Sequence, residues 1–92
     1  MKQPDETISP RLAAGVRLKF DDVRGHWVVL APERVIIPDE TALEILRRCD
    51  GLVTLSAIID ELTASYDAGR EVIAVDVRQL VADLMDKGIL RQ

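Results

Sequence analysis

The sequence predicts an α+β fold in which a three-stranded antiparallel sheet is followed by a three-helix unit. Two observations carry this. Between Val16 and Ile37 the apolar residues follow a period of two, interrupted by two short turns. From Ala42 to Leu84 they recur at spacings of three and four, and Gly51, Gly69 and Gly88 punctuate the stripes.

The strands come first. Val16, Leu18 and Phe20 fall on one face of the first, with Arg17, Lys19 and Asp21 on the other. Asp22-Val23-Arg24-Gly25 supplies turn residues, and Trp27 to Leu30 is a second strand too apolar for strict alternation. Ala31-Pro32-Glu33-Arg34 fits a tight turn, with proline where a fixed φ is wanted. Val35-Ile36-Ile37 is a short third strand of β-branched residues, closed by Pro38. Short turns between consecutive strands give an antiparallel meander.

Three helices follow. Asp39 caps the first, Arg47 and Arg48 complement its negative end, and Gly51 stops it, with Leu52 folding back on Leu46. Thr54 caps the second, whose stripe is Leu55, Ile58, Ile59, Leu62 and Tyr66. The third begins between Arg70 and Val75 and carries the stripe Ile73, Val77, Leu80, Val81 and Leu84. Gly88 ends it, with Ile89 covering Leu84. Ile89-Leu90 is a short extended tail. This make-up resembles a winged-helix domain.

Residues 1–9 are polar, contain Pro4 and lack a period, so they read as a flexible N-terminal arm; residues 10–92 form a single domain. A chain of 92 residues that is 48% hydrophobic and 30% charged is neither a disordered tail nor a membrane protein. Its start lacks an apolar signal region, and no apolar run approaches the ~20 residues of a bilayer span, which places the chain in the cytoplasm. A net charge of −4 argues against nucleic acid as a partner.

No catalytic constellation survives inspection. His26 is the only histidine and lies in a turn beside Gly25, and Cys49, the only cysteine, sits in an apolar helical pattern as a buried small hydrophobe. The carboxylates are scattered along helix faces, and neither a phosphate loop nor a metal-spaced cluster is present. The expectation is a binding protein without enzymatic activity, metal or cofactor. The last strand of a meander has one unpaired edge, a row of backbone donors and acceptors open to another strand. Either a peptide, the chain's own termini, or a second copy in a homodimer could fill it.

Pro10-Arg-Leu-Ala-Ala-Gly-Val-Arg-Leu18, Trp27-Val-Val-Leu-Ala-Pro-Glu-Arg-Val35, Glu44-Ile-Leu-Arg-Arg-Cys-Asp-Gly51, Asp76-Val77 and the ending from Leu84 to Leu90 occur in this order. Together they resemble the pyrroloquinoline quinone biosynthesis protein D (PqqD) family, over about Pro10 to Leu90. The resemblance implies a winged-helix-like peptide-recognition domain (a RiPP recognition element). Such a domain binds the precursor peptide of pyrroloquinoline quinone and presents it to the radical SAM (S-adenosylmethionine) enzyme of the pathway. It also implies that the peptide adds as a strand beside the third strand, against the third helix.

Carried over by position, the peptide site comprises Arg34, Val35, Ile36 and Ile37 on the strand. Val77, Arg78, Leu80, Val81, Leu84 and Met85 complete it on the helix. Of these, Val77 and Leu84, with Ile73, are expected in the core, and Arg78, Val81 and Met85 at the groove rim. Where the family pattern often has an aromatic residue this chain has Leu80, which reshapes the pocket there. Glu33 and Arg34, at one end of the groove, are candidates for docking the enzyme.

Two rival readings differ in kind. A winged-helix DNA-binding regulator would need a basic third helix, yet from Val75 to Lys87 it has Arg78 and Lys87 against Asp76, Asp83 and Asp86. A purely structural dimerisation module would use the same free edge with no peptide at all.

Overall fold

The structure is a computed structural model that describes residues 4–92. In chain order its elements are β1 (Arg11–Leu12), β2 (Arg17–Asp21), β3 (His26–Ala31), β4 (Arg34–Ile36), α1 (Glu40–Leu46), α2 (Leu55–Ser65), α3 (Arg70–Asp86) and β5 (Leu90–Arg91). Strands β2, β3 and β4 form the expected antiparallel meander, and the three helices follow it.

Sheet register follows the apolar pattern. Leu18 lies opposite Val29 and Phe20 opposite Trp27. The two rings meet edge-to-face, 5.5 Å apart at 70°, the geometry that aromatic quadrupoles favour. The Arg47 guanidinium sits 5.0 Å from the Trp27 ring centroid and ties the end of α1 to the sheet. At the β2–β3 turn the Asp21 carboxylate accepts from the amides of Val23 and Arg24, at 3.0 and 3.1 Å. Those bonds, Arg24's amide foremost, hold its carboxyl below the ordinary range.

The helix caps are local chemistry. Asp39 Oδ1 accepts from the Ala42 amide at 2.8 Å and Thr54 Oγ1 from the Ala57 amide at 3.2 Å. After α3 the Gly88 amide bonds to the Met85 carbonyl and the Ile89 amide to the Leu84 carbonyl, a Schellman closure. It requires the left-handed φ of +75° at Gly88. The core is the meeting of three stripes: Ile45 and Leu46; Leu55, Ile58, Ile59 and Leu62; and Ile73, Val77, Val81 and Leu84. Val29 and Ile89 close it.

Several expectations need correction. Helix α1 ends at Leu46, not at Gly51, because the amides of Arg48 and Cys49 tighten onto the carbonyls three residues back. Gly51 (φ +78°) turns the chain only afterwards. Leu52 does not fold back on Leu46 but is 84% exposed, since its amide and that of Val53 bond to the Asp50 carboxylate and point the side chain outward. Tyr66 leaves the α2 stripe, because the helix stops at Ser65 and its backbone is already extended.

The chain ends also differ. The transition segment and the tail pair with each other as β1 and β5, Arg11 opposite Arg91 and Leu12 opposite Leu90. The segment read as a flexible arm is, from Glu6 on, bonded to the domain. The carbonyls of Ile8 and Glu6 accept from the amides of Leu55 and Ser56 at 2.7 and 2.9 Å. Those amides open α2 and have no partner within the helix. Residues 1–3 of the arm lie outside the described residues.

Candidate functional site

Among the described residues strand β4 pairs with β3 alone, so its other side is an open edge. The β3–β4 hairpin closes on Ala31 opposite Arg34, with Pro32-Glu33 as its two-residue turn. Antiparallel partners alternate between bonded and non-bonded pairs. A bonded closing pair therefore turns the backbone of Arg34 and Ile36 toward β3 and that of Val35 toward the open edge. Side chains alternate as well. Ile36 packs on the core, whereas Val35 and Ile37 are 64% and 65% exposed. A strand with outward backbone groups and two outward β-branched side chains can add a further strand.

Helix α3 has two flanks beside its buried stripe. Along one, Val72, Asp76, Leu80, Asp83 and Lys87 recur at spacings of three and four. At one end Lys87 lines a shallow cleft with Ala31, Pro32, Glu33 and Arg34 of the β3–β4 turn, and at the other Val72 and Asp76 line a groove with Thr41 of α1. Leu80, half-buried against the core, lies between them. The opposite flank carries Arg78, whose Nη1 donates to Glu6 Oε2 at 2.7 Å.

These positions revise the helix part of the expected site. Val77 and Leu84 are buried, in keeping with a core role, but so is Val81, which is fully buried rather than at a rim. Its place between Val77 and Leu84 on the stripe turns it inward. Arg78 belongs to the flank that meets the N-terminal segment. Met85 lies by helical period on Arg78's side and packs partly on the core. Leu80 lies on the flank that carries Asp76 and Lys87 and is half-buried against the core. Glu33 and Arg34 are exposed, at the mouth of the cleft between the β3–β4 turn and Lys87.

One feature escaped the sequence reading. Where α1, α2 and α3 converge, a groove of about 210 Å³ is floored by Leu62, Ile73 and Val77 and walled by Tyr66, Ala68 and Val72, with Thr41 and Asp76 at its mouth. Val72 and Asp76 carried a readable signal, four residues apart on the flank that includes Leu80, but nothing in the sequence says what that flank faces.

Charge is arranged unevenly. Arg70 donates to Asp60 Oδ1 at 2.6 Å and to Glu6 Oε1 at 2.8 Å. These bonds raise the Arg70 pKa further and, with Arg78, hold the Glu6 carboxyl below its ordinary value. The outer surface of α3 is acidic, with Asp76, Asp83 and Asp86 exposed. Cys49 is buried with Sγ 3.1 Å from the Ile45 carbonyl, and burial pushes its thiol up to about 12. Among the described residues no group of three or more His, Cys, Asp or Glu could hold a metal ion, and no helix is long and apolar enough to cross a membrane.

Fold and edge define a small winged-helix-like α+β domain whose outer strand β4 has a free edge among the described residues. The model of the family "Coenzyme PQQ synthesis protein D (PqqD)" matches residues 26–90. The chain belongs to this family. It is 54% identical over 87 residues to the PqqA binding protein of Rhodopseudomonas palustris, covering 95% of this chain and 85% of that one. It is 49% identical over 82 residues to that of Xanthomonas oryzae, covering 89% of each. Among solved structures, the PqqD part of Methylobacterium extorquens PqqCD, described as a functional stand-alone RiPP recognition element, superposes with a TM-score of 0.74 at 42% identity. That match covers 90% of this chain and 88% of the other. Lasso peptide synthetase B1 complexed with its leader peptide shares the fold, with a TM-score of 0.77 at 22% identity over 91% and 99% of the two chains.

Proposed function

We propose that the chain is a peptide-binding adaptor. It takes the precursor peptide of pyrroloquinoline quinone biosynthesis as an added strand along β4 and presents it to the radical S-adenosylmethionine enzyme of the pathway. The observation that carries this reading is the open edge of β4, along which Val35 and Ile37 stand exposed. Backbone bonds from the edge supply sequence-tolerant affinity, and alternate side chains of the peptide meet the helix flank. The names of its relatives as PqqA binding proteins support the choice of peptide.

In this reading the site comprises Arg34, Val35, Ile36 and Ile37 with Leu80. The buried Val77, Val81 and Leu84 shape the floor from beneath, and the chain contributes no catalytic group. Glu33, in the turn before β4, and Arg34, at the strand's first position, are the residues that dock the enzyme. The acidic outer face of α3 disfavours a DNA-reading role for that helix.

The test is residue-resolved titration of the precursor peptide into isotope-labelled protein. Shifts should concentrate at residues 34–37 and on the α3 flank of Val72, Asp76 and Leu80. Shifts confined to β1, β5 or the Arg78 flank would place the peptide elsewhere, and an oligomer that dissociates on peptide addition would show the same edge pairing between copies.

A further inference from the structure

We infer that the groove between α1, α2 and α3 is a subsite for one basic side chain of the bound peptide. The inference rests on the peptide reading above and adds a chemical requirement to it. The groove's volume of about 210 Å³ falls below the roughly 300–1,000 Å³ of pockets that enclose a small-molecule ligand. It has room for one long side chain.

The lining says which kind. Leu62, Ile73 and Val77 are buried residues whose edges form an apolar floor, and Tyr66 and Val72, exposed by 39% and 61%, extend that surface outward. A purely apolar occupant would suit the floor but would desolvate the Asp76 carboxylate at the mouth without a partner, which is unfavourable. Lysine or arginine satisfies both. The methylene stem lies on the floor while the charged head stays at the rim, in water and beside Asp76. The Tyr66 ring in the groove's lining is a second attraction for a cation.

Position links the groove to the strand site. Strand β4 ends at Ile36, and Ile37 and Pro38 lead directly into α1, whose Thr41 lines the groove. In this inference a peptide paired with β4 runs on past Ile36 toward this mouth, and a residue just beyond the paired stretch reaches it. Asp83 on the same flank adds negative potential along the path.

The experiment is calorimetric titration of the precursor peptide into the parent chain and Asp76→Asn, at low and at high salt. It is repeated with peptides in which each Lys or Arg is replaced in turn by Met. Asp76→Asn should bind about fivefold more weakly at low salt, as for a partly exposed ion pair, and high salt should narrow the difference. One peptide replacement should abolish the difference between the two proteins. Equal binding by parent and Asp76→Asn, or a loss that no basic residue of the peptide accounts for, would overturn the subsite and leave the edge reading standing. A parent chain that fails to bind the peptide at all would overturn both.

Discussion

Glu6 and Arg78 are 72 residues apart in the chain, yet Arg78 Nη1 donates to Glu6 Oε2 at 2.7 Å while Arg70 holds the other carboxylate oxygen at 2.8 Å. The bond fastens the N-terminal segment across α3 while the carbonyls of Glu6 and Ile8 close the first turn of α2. Residues 6–8 are thereby part of the domain. This segment also occupies the α3 flank that carries Arg78, away from the Leu80 flank.

Deleting residues 1–9 should therefore cost stability. Two amides at the start of α2 lose their protein partners, and Ile8 leaves the core margin. A net loss of about 2 kcal/mol is expected from two hydrogen bonds and a partly buried side chain, a fall in Tm on the order of 10 °C for a domain of this size. Differential scanning calorimetry measures it. An unchanged Tm would show that the segment is not fastened in solution.

The point variant Glu6→Gln tests the ion pair alone and has a pH signature. Arg70 foremost, with Arg78, lowers the Glu6 carboxyl in the folded chain. Its contribution is thus complete above the unfolded carboxyl's value of 4.5 and is lost as pH falls through the lower folded value. Melts of parent and variant should differ by at most about 1 kcal/mol at neutral pH and converge toward acid. A difference that persists in strong acid would point to packing instead.

What the sequence revealed and what it hid divide along the range of the interactions. Asp39, Thr54 and Gly88 could be recognised as caps because each acts on the backbone within a few residues. The three strands and the α2 stripe could be read because their periods are local. The β1–β5 pairing could not, since two-residue strands have no period and their partners stand at opposite ends of the chain. The same limit explains Val81. Periodicity identifies the buried face of α3, but which flank looks toward β4 depends on how the helix docks. That docking is fixed by distant contacts such as Arg78 with Glu6.

Cys49 supplies a check on the core. Its thiol is buried and pushed up to about 12, chiefly by desolvation, with Sγ against the Ile45 carbonyl. Because the thiolate is the nucleophile, an aromatic disulfide reagent should label native protein only at the rate at which the domain opens, and promptly in denaturant. Rapid labelling of the native chain at neutral pH would contradict the packing of α1 against α2.

The hairpin register makes the two middle positions of β4 opposite tests of strand addition. Val35 turns its backbone to the open edge, so Val35→Pro removes an outward donor while leaving the β3 ladder intact. Proline is tolerated on edge strands for this reason. Peptide affinity should fall by roughly 2–10-fold, the worth of one hydrogen bond, in a variant that stays folded. Ile36→Pro removes a donor facing Val29 and should destabilise the sheet. Circular dichroism separates the two, and titration of the precursor peptide reads the affinity. A folded Val35→Pro variant that binds like the parent would rule out an added strand at β4.

The two adjacent residues Leu80 and Val81 separate the ligand surface from the core most sharply. Val81 is fully exposed to neither solvent nor peptide, being buried between Val77 and Leu84. Val81→Asp places an unpaired carboxylate in that core, which in a domain of modest stability is expected to unfold it. Leu80 is half-buried on the flank between Asp76 and Lys87, so Leu80→Asp can keep its charge in water in the free protein. On peptide binding that charge would be desolvated, at roughly 2 kcal/mol or more, which corresponds to about a 30-fold weaker complex. Arg78→Ala, on the opposite flank, should lower stability through Glu6 and leave affinity unchanged. Thermal melts followed by titration of the three variants distinguish these outcomes. If Leu80→Asp binds as tightly as the parent while Arg78→Ala binds poorly, the peptide lies on the N-terminal flank of α3 and the β4 site is wrong.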